Sequence, residues 1–144
     1  MGKCNDCLSP ALHDQRIRTM LSAEQGLLRI LAVNASVCIT GFCLLGWLRA
    51  ELVANYISYG IAGALCMYLI DRYIVGSVHP CFENRIAASP GVYLLAGCIT
   101  AVPAMIGVLK TADSGEIDGL AYMSFVAFGG EFGELRKIHL RKRE

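Results

Sequence analysis

Two carboxylates stand in a stretch where this chain is otherwise apolar. Glu131 and Glu134 lie in Phe128-Gly129-Gly130-Glu131-Phe132-Gly133-Glu134. A carboxylate in a hydrocarbon environment is costly unless it is neutralised, paired or facing water. Gathered in an oligomer, such groups line a hydrated path or carry protons. The plainer expectation is that the helix ends near Gly130. Both glutamates then sit in the headgroup layer beside Arg136 and Lys137 as ordinary solvated charges. Gly129 and Gly133 form a GxxxG, which lets two helix backbones approach closely. Phe125, Phe128 and Phe132 share one helical face by their spacing, and the two glutamates share another. Asn34 is the other polar group inside an apolar run. With Cys38 and Gly41 it forms a narrow face at i, i+4 and i+7. The expected arrangement is a compact four-helix bundle with Asn34 hydrogen-bonded to a neighbouring carbonyl.

Cys4-Asn5-Asp6-Cys7 is a CxxC, and His79-Pro80-Cys81 falls on the same expected side of the membrane. Cys4, Cys7, His79 and Cys81 together have the donor types of a tetrahedral soft-metal site. A single CxxC without a second pair is a weak signal, and the plainer reading is exposed thiols and a surface histidine. No cofactor is implied. Cys38, Cys43, Cys66 and Cys98 fall inside apolar runs, where a thiol packs as a small residue. No cysteine falls in either expected outer loop, which argues against structural disulfides.

The elements that must hold these residues are set by composition. The 144 residues are 55% hydrophobic and only 17% charged, with mean hydropathy +0.49. A soluble domain carries about 25% charged residues, and a disordered chain needs low hydrophobicity. The pattern is that of a polytopic membrane protein. Leu27–Leu48 reads as a first span, with Arg29 able to snorkel and Trp47 at the far interface. Arg49-Ala50-Glu51 is a tight joint. Leu52–Ile70 is a second span, followed by a polar loop to Arg85. Ser89-Pro90 marks a helix start, and Gly91–Leu109 is a third span with Pro103 inside it. Lys110–Asp118 reads as an acidic loop. The fourth segment, about 117–135, has an uninterrupted apolar core of only Leu120–Phe128.

Charge bias favours four spans over three. With both ends cytoplasmic, Lys3, Arg16, Arg18, Arg29, Arg72, Arg85 and the five basic residues of the tail all lie inside. Only Arg49 and Lys110 lie outside, in keeping with the positive-inside rule. Residues 1–26 then form a cytoplasmic segment. Ser9-Pro10 opens a short amphipathic helix to about Gln25, with Leu12, Met20 and Leu21 as its apolar stripe. Residues 27–135 form the membrane domain, and 136–144 a basic cytoplasmic tail that attracts anionic headgroups.

The expected fold is an all-α integral membrane protein with four transmembrane helices and a short amphipathic N-terminal helix. A bacterial inner membrane is the expected location. The chain carries no P-loop, GxGxxG, HExxH or Ser/His/Asp grouping, so no enzyme activity is expected. The tail is too short and lacks the aromatics of a nucleic-acid site. The expected function is a non-enzymatic protein of the lipid bilayer acting by self-association, as a pore, a holin-like protein or a small transporter. Two other readings stand beside it. One is an accessory, immunity or exclusion subunit bound to a larger membrane protein. The other is a metal or thiol-redox protein using the cytoplasmic cysteines and histidines.

Overall fold

The computed structural model describes residues 10–75 and 90–141. Among these the chain is helical apart from Arg49 and residues 115–118, with no strand. Helix α1 covers Pro10–Leu48, α2 Ala50–Ile70, α3 Pro90–Ser114 and α4 Met123–Arg141. A π-helical turn, Asp71–Val75, extends α2, and a 3-10 turn, Gly119–Tyr122, leads into α4. Pro10 and Pro90 each stand first in their helix, where the missing N–H loses no intrahelical bond.

Three stretches are long and apolar enough to cross a membrane: Leu21–Leu48, Ala50–Ile74 and Leu94–Ser114. Their outward faces are apolar. Leu94 is 62% exposed and Ile99 64%, whereas Asn34, Thr111 and Ser124 are wholly buried. Large apolar residues outside and polar groups inside invert the arrangement of a water-soluble core, and suit a surface bathed in lipid.

Lipid tails are as apolar as leucine, so close packing of small residues does much to hold such helices together. Helix α1 lies along α3 and α4, and α2 lies mainly along α4. On α2, Gly60 receives the Phe125 ring, Gly63 lies against Val126, and the backbone of Ala64 presses on Gly129. The GxxxG of α4 is therefore used inside one chain, with Gly129 on Ala64 and Gly133 on the Asp71 carboxylate. Gly97 of α3 meets Val33 of α1. At one end Ala23 and Leu27 pack on Ile138. Toward the other, Leu45, Tyr56, Val108 and Ala121 form a second core.

Several boundaries differ from the sequence expectation, each for a packing reason. The helix expected over 10–25 and the first span are one continuous helix. Gly26 is buried within it, and Ala23 and Leu27 on either side hold the junction against α4. Of the expected stripe, Leu21 is 46% exposed, and the side chains of Leu12 and Met20 lie outside the described residues. Helix α3 runs five residues past Leu109. Lys110 pairs with Asp118 at 3.8 Å, and Arg49 binds the last carbonyls of the helix. Gly115, at φ +76°, ends it in the left-handed conformation that glycine adopts freely. Helix α4 does not stop near Gly130 but continues to Arg141. Its glycines sit where α2 must come close, so packing overrides their weak helix propensity.

Candidate functional site

Three helices bring Asn34, Thr100 and Glu131 together. Asn34 sits on the narrow α1 face that Cys38 and Gly41 continue. Thr100 sits on the small-residue face of α3, with Ala101 and Ala104 buried beside it. Glu131 comes from the turn of α4 just beyond Gly129 and Gly130. The Asn34 amide Nδ2 donates to Glu131 Oε1 at 2.8 Å, and the Thr100 hydroxyl donates to Asn34 Oδ1 at 2.9 Å. A longer contact joins Nδ2 to the Ile30 carbonyl at 3.4 Å. The expected carbonyl partner of Asn34 is thus the lesser one, and a carboxylate of α4 takes its place. The second oxygen, Glu131 Oε2, is buried with no partner among the described residues. One neutral amide holds this carboxylate, and the oxygen left over is the one that can carry a proton.

Glu134, one turn on, has a different environment. Lys137 Nζ lies 3.2 Å from Glu134 Oε1 and 2.7 Å from Asp71 Oδ1. All three side chains are largely buried, at 9%, 14% and 7% exposure for Glu134, Lys137 and Asp71. Asp71 stands at the π-helical turn, a feature common at functional sites. Its Oδ2 is pressed against Gly133 and has no hydrogen-bond partner among the described residues. Beyond it Arg136 donates to the Tyr68 hydroxyl. The two glutamates therefore do not share an environment: Glu131 binds Asn34 of α1, and Glu134 joins Lys137, which also pairs with Asp71 at the end of α2. Neither glutamate is the ordinary solvated charge expected, because α4 remains helical past Gly130 and packs against its neighbours on both sides.

An apolar groove of about 610 Å³ lies between α1, α2 and α4, lined by Cys38, Ile61, Leu65, Tyr68, Phe128 and Phe132 among others. It places the aromatic face foreseen for α4 opposite α2. The cysteines of the described residues, Cys38, Cys43, Cys66 and Cys98, are free thiols. Among the described residues no three His, Cys, Asp or Glu side chains gather as a metal site. Cys4, Cys7, His79 and Cys81 lie outside the described residues.

Sequence reasoning placed Asn34 as a buried polar group and favoured a solvated Glu131, and it did not pair the two. Thr100 stood there only as one residue of the third span, and Asp71 and Lys137 fell in the loop and the tail. The available signal for Asp71 was its position as the first charge after a long apolar run. For Thr100 it was a hydroxyl at the depth of Asn34 on a neighbouring span. No protein-family model, curated protein or solved structure matches this chain.

Proposed function

We propose that the chain is a non-enzymatic small membrane transport protein that carries protons, with Glu131 as the group that takes up and releases them. The carrying observation is the Asn34–Glu131–Thr100 cluster inside the bundle. An ionisable side chain inside a membrane-spanning bundle is costly, and such groups mark proton and ion pathways. A metal cation needs several oxygen ligands at once. Here Asn34 Oδ1 already accepts from Thr100, and one carboxyl oxygen has no partner among the described residues, which suits a single proton.

The protein is proposed to sit in a bacterial inner membrane as four spans with a short amphipathic N-terminal segment, both termini cytoplasmic. Two observations support the fourth span. Helix α4 has 19 residues and runs beside α1 and α2. The Arg49 turn meets the end of α3 at one pole, while Asp71, Lys137 and Ile138 gather at the other. The distribution of Lys and Arg supports the orientation. Association with further copies would use the apolar outer faces, since α2 of the same chain occupies the GxxxG.

The test is proton flux into liposomes holding the purified protein, followed with an internal pH dye under a potassium diffusion potential. Wild type is expected to acidify the lumen, and Glu131→Gln to fall to the rate of empty vesicles. Wild-type flux equal to that of empty vesicles, or full flux in Glu131→Gln, overturns the reading.

A further inference from the structure

Among the described residues, five buried side-chain oxygens lack a hydrogen-bond partner: Tyr56 OH, Tyr122 OH, Ser124 Oγ, Glu131 Oε2 and Asp71 Oδ2. Such atoms are rare in folded chains, and ordered water is their usual complement. Four of the five lie in one half of the bundle, between Glu131 and the Arg49 turn. Asn34, Cys38 and Gly41 form one face of α1 that climbs through this half. Its lower end binds Glu131, and its upper end is met by the Tyr56 hydroxyl, which lies against Gly41. Ser124, wholly buried, stands two turns above Glu131 on the same side of α4. The Tyr56 ring stacks on Tyr122, centroid to centroid 6.0 Å. A side chain at Gly41 would collide with Tyr56, so glycine is what lets that hydroxyl lie directly against the α1 backbone.

We infer that ordered water fills this half of the bundle, running from Glu131 past Cys38, Tyr56 and Ser124 toward Tyr122. Each orphaned oxygen then gains a partner, and the file ends at the Arg49 pole. The use of this water as a proton route rests on the transport reading above; its presence does not. A protein without the file must bury four polar oxygens unsatisfied in one small region, at a penalty for each.

Radiolytic hydroxyl footprinting of the detergent-solubilised protein reads the water directly, because bound water generates radicals in place. Tyr56 and Leu45 are both wholly buried, so each is compared with its own rate in the unfolded chain. Tyr56 is expected to be protected at least tenfold less than Leu45, and equal protection overturns the inference. Tyr56→Phe gives an independent sign. A hydroxyl bound to water loses that bond, and the melting temperature falls; a dry orphan is relieved, and a rise overturns the inference. In liposomes, Tyr56→Phe combined with Ser124→Ala is expected to slow proton flux at least fivefold, and an unchanged rate overturns the route. A labelled Tyr56 in a protein that conducts nothing sinks the transport reading and leaves the water in place. A dry Tyr56 in a conducting protein sinks the water file alone.

Discussion

The Asn34 amide and the Glu131 carboxylate meet at 2.8 Å across 97 positions of sequence. The bond ties the first helix to the last, and Thr100 extends it to the third. Among the described residues, Asn34→Ala removes the one donor to Glu131 Oε1 and leaves both carboxyl oxygens without a partner. The expected loss is about 1–3 kcal/mol, read as a lower melting temperature in detergent. Asn34→Asp is nearly isosteric but sets a second carboxylate against Glu131. Like charges at that distance favour one shared proton, so this variant is expected to gain stability as pH falls. A melting temperature for Asn34→Asp that does not rise on acidification would contradict the contact.

The apolar spans were legible because length and hydropathy suffice to mark them. The joint at Arg49 and the starts at Pro10 and Pro90 were legible because their residue types act locally. The pairing of Asn34 with Glu131 was not, since nothing in either segment specifies the other. Helix α4 was misread at Gly130 for a related reason. Two glycines and a run of charges look like a helix end when only local propensity is weighed. Their use became visible once Ala64 and Asp71 were seen beside Gly129 and Gly133. Lys137 likewise resembles a tail anchor until Asp71 is brought to it.

Gly129→Ala tests whether α2 and α4 need that close approach. An added methyl at Gly129 meets the Ala64 backbone carbon at 2.7 Å and its Cα at 2.8 Å. Backbone cannot swing aside as a side chain can, so the helices must separate. Overpacking of this kind costs about 1–3 kcal/mol. Gly119→Ala is the control, having nothing within 4 Å of the added methyl. The expected result is a clear drop in melting temperature for the first variant and little change for the second.

Gly115→Ala and Arg49→Gln test the end of α3 at the opposite pole. Gly115 holds φ +76°, where an alanine is strained by about 1 kcal/mol. Arg49 Nε donates to the Ala112 carbonyl at 3.1 Å, and Nη2 to the Asp113 carbonyl at 3.3 Å. Its side chain is 40% exposed, so water replaces part of what is lost. Each single variant is expected to lower stability modestly. Hydrogen exchange is the sharper measurement, with faster exchange confined to the last turn of α3 and the Gly119–Tyr122 turn.

Lys137 and Asp71 give the strongest test of the lower pole. Their atoms approach to 2.7 Å with side chains only 14% and 7% exposed. Removing one member of a buried pair leaves the other charge uncompensated, at about 3–5 kcal/mol. Lys137→Met is therefore expected to be the most damaging of the substitutions discussed, since it also strips Glu134 of a cation at 3.2 Å. Asp71→Asn keeps the shape of the side chain and removes only its charge. The double variant should be more stable than the sum of the singles predicts, with a coupling of at least about 1 kcal/mol. Additive effects would mean that α2 and α4 are held together at this end by the Gly133 contact rather than by the ion pair.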